Sequence, residues 1–130
     1  MGTFFLNAHS GLRYLILLAG VLTVLYAAYG AFSGRTYDKI MRILASSFVG
    51  TIHLQILLGL ALLFSGLFQP SVIGHIFMML FAAAAAQVPV SVMRRRPEEQ
   101  KSYLPHGIGA LVALALIVGG ILSIGRPIVG

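Results

Sequence analysis

Four long apolar runs constrain the fold of this chain more than any other feature. They cover about residues 4–32, 43–68, 71–93 and 103–124, and each is close to the roughly 20 residues that a helix needs to cross a bilayer. Only 9% of the 130 residues are charged, and 58% are hydrophobic. In soluble domains, by contrast, about a quarter of the residues are charged. The sequence therefore predicts an all-α integral membrane protein, with residues 1–130 forming a single domain.

The loops between these runs predict the topology. Backbone groups in lipid must be hydrogen-bonded within the segment, and short loops join neighbouring helices, so we expect an antiparallel four-helix transmembrane bundle. The loops SGRTYDKIMR and MRRRPEEQKS hold three and four of the nine basic residues, whereas GLFQPSV holds none. The positive-inside rule then places both basic loops on the cytoplasmic side of a bacterial inner membrane, with both termini on the outer side. We therefore attribute the net charge of +6 to membrane topology and to contact with anionic lipid headgroups. No nucleic-acid partner is expected.

The polar residues within the spans narrow the possible functions. All three acids, Asp38, Glu98 and Glu99, fall in predicted loops, which argues against an ion-coupled transporter and against hydrolytic chemistry. The chain contains no cysteine, which excludes Fe–S clusters, thiolate ligands and covalent haem attachment. The remaining polar candidates are four histidines, one in each span. They are His9, His53, His75 and His106.

The depths of these histidines predict a haem site. His9 and His75 both lie near the outer ends of their spans. Because a helix rises about 1.5 Å per residue, we expect the two to lie at similar depths in the membrane. His53 lies near mid-span and His106 near the inner end, which is a poorer match. Haem b takes two neutral imidazoles from facing helices, so we predict one or two b haems, held first by the outer pair and then by the inner pair. Arg13, one turn from His9 on the same face, is placed for a haem propionate.

A purely structural interpretation of the same residues stays open. An intramembrane histidine often only bonds to a neighbouring helix, and His9 and His106 are close enough to the interface to contact water or headgroups. Arg13 is equally consistent with an interfacial residue that extends to the headgroups. His53 is too deep for water, and Gln55 cannot bond to it because residues two apart point away from each other on a helix. His53 therefore needs a partner on another helix.

Three other ligands also fit the pattern. His75 with Met78 or Met79 is a soft pair at helical spacing that suits copper, although methionine at such spacing usually packs. A chlorophyll-type pigment takes one axial ligand per macrocycle, whereas low-spin haem b takes two at matched depth. Histidine, arginine and tyrosine near an interface also suit the head group of a quinone.

Three segments of the chain carry a family resemblance. They are HSGLRYLILLAG, TIHLQILLG and GHIFMML. As a set they resemble small bacterial four-helix membrane proteins of the b-type cytochrome kind, loosely similar to the b561-like group. In that group, histidine pairs bind haem b, and electrons pass between a quinone or reductant and a partner. The resemblance implies that His9, His53 and His75 are ligands and that the chain is an electron carrier.

A second class of function competes with the electron carrier. The small size and lack of an extramembrane domain also suit a non-catalytic accessory subunit of a larger respiratory or photosynthetic complex. Such a subunit would contact the lipid bilayer and either a membrane protein partner or further copies of itself. Both hypotheses favour a carrier or a subunit over an independent enzyme.

Overall fold

Four α-helices account for most of the described chain, which comprises residues 2–64 and 73–123 of the computed structural model. The helices are α1 (Gly2–Phe32), α2 (Lys39–Leu62), α3 (Ile73–Arg95) and α4 (Leu104–Ser123), with a short 3₁₀ turn at Glu98–Gln100. The described residues contain no strand. All four helices are long and apolar enough to cross a membrane, which confirms the predicted all-helical fold of four potential membrane spans.

The helix boundaries differ from the predicted spans mainly at α2. This helix begins at Lys39 rather than near residue 43, because Asp38 caps it. The backbone of Asp38 is extended, and its Oδ1 accepts the Met41 amide N–H at 3.0 Å, as expected of an N-cap residue. α3 continues to Arg95 rather than ending at residue 93. The predicted ends at 65–68, 71–72 and 124 lie outside the described residues.

The helices pack in a ring that follows their order in the chain. α1 packs against α2 and α4, and α3 packs against the same two helices, whereas α2 and α4 barely touch across the centre. α1 and α3 therefore lie on one diagonal, as the sequence predicts. Small residues allow the close approaches, as is usual between membrane helices. Gly20 of α1 lies between Leu114 of α4 and Phe48 of α2.

The two connecting segments 33–38 and 96–103 meet at one end of the ring, which we call the basic end. Gly30 of α1 lies under the ring of Tyr103, and the Tyr103 hydroxyl donates to the Thr36 carbonyl at 2.7 Å. Tyr103 is only 3% exposed, so it joins the first connection to the start of α4. The side chains that give this end its charge are Arg35, Lys39, Arg42, Arg94, Arg95, Arg96 and Lys101.

Asp38 organises the connection between α1 and α2. Its carboxylate accepts from the Tyr26 hydroxyl, from the Met41 amide and from Arg35 Nη2 at 3.3 Å. Burial alone would raise the pKa of Asp38, but these three hydrogen bonds and the nearby Arg35 charge outweigh it and hold the pKa below its ordinary value. The ionised carboxylate is therefore the form that the fold stabilises.

The approach of Gly30 to Tyr103 predicts a steric effect. A Cβ at Gly30 would lie 2.5 Å from the Tyr103 ring, so Gly30→Ala should destabilise the protein by about 1–3 kcal/mol through overpacking. Gly50→Ala is the matched control, because a Cβ at Gly50 meets nothing within 4 Å. Thermal unfolding in detergent measures both. Equal melting temperatures for the two variants would contradict the contact.

The lowered pKa of Asp38 predicts an acid-dependent loss of stability. A carboxylate whose folded pKa is depressed contributes its full stability above its ordinary value of 3.8, and this contribution disappears as the pH falls through the folded pKa. Wild-type protein should therefore lose more thermal stability between about pH 6 and about pH 2.5 than Asp38→Asn does. The variant keeps an N-cap side chain, and both proteins retain Glu98 and Glu99. Parallel pH profiles would show that Asp38 does not carry the effect.

Candidate functional site

The ring of His75 is oriented by a hydrogen bond to a backbone carbonyl, as the rings of metal-binding histidines usually are. Its Nδ1 lies 3.0 Å from the Gly120 carbonyl oxygen of α4. A carbonyl can only accept, so Nδ1 carries the proton, and Nε2 of the neutral ring keeps its lone pair. Histidines that bind metals almost always donate their other nitrogen in this way, which fixes the tautomer and the ring orientation. This hydrogen bond thus fixes the orientation of the His75 ring and leaves the lone pair on Nε2.

The residue at position 120 matters for this hydrogen bond. A Cβ at Gly120 would lie 3.2 Å from His75 Nδ1 and 2.5 Å from the terminal carbon of Met79. Met78 makes the corresponding contact with Gly119, where a Cβ would lie 3.0 Å from its terminal carbon. Both methionines therefore pack against glycines of α4, which agrees with a packing role and does not favour the copper interpretation.

His9 lies between α1 and α2 and is partly buried. Its Nε2 lies 3.5 Å from the position that a Cβ would take at Gly59. Its backbone carbonyl accepts the side-chain amide of Gln55 at 2.6 Å, while Gln55 Oε1 is buried with no hydrogen-bond partner in the described part of the chain. The sequence gives Gln55 no such role, although an amide this far inside an apolar run signals an interhelical bond.

Arg13 is the only lysine or arginine that is buried among the described residues, at 8% exposed. Its Nη2 donates to the Tyr14 hydroxyl at 2.9 Å, and its guanidinium carbon lies 4.8 Å from the centre of the Tyr14 ring. A cation held inside an apolar helix is expensive and usually marks a functional site. This burial favours the functional interpretation of Arg13 over that of a side chain extended into the headgroups.

His53 lies on the outer surface of the bundle, where α2 meets α3. Its ring is exposed, and Nε2 lies 3.0 Å from Gln87 Oε1. The Gln87 amide nitrogen donates in turn to Ser91 Oγ at 2.8 Å, so its oxygen faces His53 and accepts. His53 is expected to have a hydrogen-bond partner on another helix, and this partner is the side-chain amide of Gln87 on α3. This bond engages Nε2, the nitrogen that His75 keeps available.

His106 lies at the basic end and is 3% exposed. Its Nε2 is 2.8 Å from the Tyr37 hydroxyl, and the two rings stack with their centres 5.6 Å apart. Its Nδ1 is buried with no hydrogen-bond partner among the described residues. Tyr37 belongs to the first connecting segment, so this histidine joins that segment to α4.

The structure separates the four histidines into different surroundings. His9 and His75 lie on the diagonal helices α1 and α3, each near the end away from the basic loops. His53 and His106 lie on helices that barely touch, one at the surface and one buried at the basic end. Within residues 2–64 and 73–123, no group of three or more His, Cys, Asp or Glu side chains could hold a metal ion.

Comparisons of the chain with protein-family models, with curated proteins and with solved structures found no match. The chemistry of the described side chains therefore carries the functional proposal.

The bond between Tyr37 and His106 predicts a measurable contribution to stability. Tyr37→Phe leaves a buried ring nitrogen without its partner, which should cost about 1–3 kcal/mol. Tyr29→Phe is the control, because Tyr29 is 55% exposed and its change should stay within about 0.5 kcal/mol. Thermal or denaturant unfolding distinguishes them. Similar losses in both variants would show that the hydrogen bond is not important for stability.

Proposed function

We propose that this chain is a haem b-binding electron-transfer protein of the membrane, with His9 and His75 as the axial ligands of one haem. The single observation that carries the proposal is the hydrogen bond from His75 Nδ1 to the Gly120 carbonyl, at 3.0 Å. It leaves Nε2 as a lone-pair donor in the neutral ring, which is the state that haem iron requires. Haem b bound there supplies one-electron chemistry, and the protein sets its potential through ligand type and burial.

The neighbouring residues have distinct roles in this proposal. Gly120 positions His75, and Gln55 holds the backbone of His9 through its carbonyl. Gly59 leaves space beside the His9 ring. Arg13, buried one turn along α1 from His9, supplies a fixed positive charge for a propionate carboxylate. These features support the outer pair of ligands that the sequence predicts first.

A second haem between His53 and His106 has less support. Both rings have their Nε2 atoms within hydrogen-bond distance of another side chain, Gln87 in one case and Tyr37 in the other. We therefore propose a single haem. The resemblance to b561-like cytochromes suggests a quinone or another small reductant as the electron partner.

The proposed topology is an antiparallel bundle in the bacterial inner membrane with both termini outside. Contacts between neighbouring helices support it, because residue numbers rise along one helix as they fall along the next. Gly30 of α1, for instance, meets Tyr103 just before α4, and Ala27 of α1 meets Gly107 of α4. Both basic segments lie together at one end, and the positive-inside rule assigns that end to the cytoplasm. The haem site then lies on the outer side.

The alternative function, an accessory subunit of a larger complex, has one observation in its favour. The series His53–Gln87–Ser91 runs along the outer surface of α2 and α3, where His53 is exposed. Polar side chains facing lipid are costly, and such groups stabilise contacts between membrane helices. A partner helix packed on this face would remove that cost.

The haem proposal predicts a spectrum and its dependence on two residues. Purified protein reduced with dithionite should show the sharp α band of a low-spin b haem, with about one haem per chain. His75→Ala and His9→Ala should each lose this band, because a single axial ligand cannot maintain the low-spin state. Haem affinity should fall by at least about tenfold.

His53→Ala is the matched control, because it also removes an intramembrane imidazole and should keep the band. The proposal would be overturned if the folded protein is colourless and still shows no α band after haem is added. Loss of the band in His53→Ala but not in His75→Ala would assign the ligands to another pair. Co-purification of a stoichiometric membrane partner with haem-free protein would favour the accessory subunit.

A further inference from the structure

The basic end of the bundle contains a small cavity whose wall is rich in cations. Its volume is about 50 Å³, whereas a cavity needs roughly 10–15 Å³ of such volume to hold one water molecule. The polar side chains that line it come from α2, α3, α4 and both connecting segments. They are Tyr37, Arg42, Ser46, Arg94, Lys101 and His106.

The described side chains that line the cavity include three basic groups. No acid is among these described lining residues. Arg42 and Arg94 belong to different helices, and neither forms an ion pair with an acid of the described chain. The carboxylate of Asp38 is engaged by Arg35 instead. Like charges that converge on one cavity repel each other. An anion bound between them adds attractions to each cation that outweigh this repulsion.

A second and independent feature of the wall also indicates a ligand. His106 is 3% exposed, lines this cavity and has a buried Nδ1 without a hydrogen-bond partner in the described residues. When the Tyr37 hydroxyl donates to Nε2, Nδ1 carries the ring proton and becomes a donor. A buried polar group left without a partner is costly, and native proteins rarely contain one without a reason.

We propose that this cavity binds a single phosphate group, as a monoester or a diester. Guanidinium groups bind phosphate oxygens through paired hydrogen bonds, and lysine adds a point charge. The Ser46 hydroxyl is a further donor on the wall. The cavity lies beside helix ends that carry the basic loops, so the phosphate belongs either to the headgroup of an anionic lipid or to a soluble phosphate compound. This site is separate from the proposed haem site and does not depend on it.

The test uses the full-length protein in maltoside micelles, which contain no phosphate. Phosphatidylglycerol and inorganic phosphate are titrated separately at constant ionic strength, and the rise in melting temperature gives an apparent dissociation constant for each. Arg42→Gln combined with Arg94→Gln should weaken binding by about fivefold per arginine, from about 1 kcal/mol per basic residue. Arg95→Gln combined with Arg96→Gln removes the same charge from exposed positions outside the cavity and should change binding by less than about twofold.

The outcomes separate the sources and the alternatives. Stabilisation by phosphatidylglycerol alone assigns a lipid headgroup, and stabilisation by inorganic phosphate assigns a soluble compound. Equal weakening in the two double variants would show a diffuse charge effect and overturn the site, as would no stabilisation by either probe. If the glutamine pair at 42 and 94 does not fold, Arg42→Lys with Arg94→Lys replaces it. That variant keeps the charge but loses the paired hydrogen bonds, so it must weaken binding more than Arg95→Lys with Arg96→Lys does.

Discussion

Polar groups inside a membrane must find their partners within the protein, and this requirement determines how the helices of this chain pack. α2 meets α3 through His53 and Gln87, and α3 meets α4 through His75 and the Gly120 carbonyl. α1 meets α2 through Gln55, which bonds to the backbone carbonyl of His9. Apolar surfaces alone do not fix the register of helices in lipid, because lipid tails are as apolar as the side chains. These few bonds therefore specify which turn of one helix lies beside which turn of the next.

Hydropathy and the rise of a helix were sufficient to predict part of this arrangement. The four spans follow from composition, and the start of α2 differs from its prediction only because Asp38 ends the loop as a cap. The diagonal placement of His9 and His75 follows from short loops and from the order of the helices. The prediction that the two rings share one depth rests on counting residues from the span ends, which needs no knowledge of the packing.

The direction of a side chain around its helix axis could not be predicted from the sequence. A helix that is apolar on every side has no hydrophobic face to orient it, so nothing in the run around His53 indicates that its ring faces outward. The same limit applies to Gln55, whose neighbours look alike on all sides. The cavity at the basic end was also not predictable, because Arg42 and Arg94 are ordinary loop-flanking cations in the sequence. Their convergence with His106 appears only when three helices meet.

The contrast between His75 and His53 shows why the partner of a histidine matters more than its depth. Both rings sit in apolar spans, and each has one nitrogen in a hydrogen bond of 3.0 Å. In His75 the bonded nitrogen is Nδ1, next to the backbone, so Nε2 at the tip of the ring keeps its lone pair. In His53 the bonded nitrogen is Nε2, so the tip is committed to Gln87 and the ring serves to join two helices. The same residue type thus finds its hydrogen-bond partner in two ways, and only the first leaves the lone pair on the tip nitrogen.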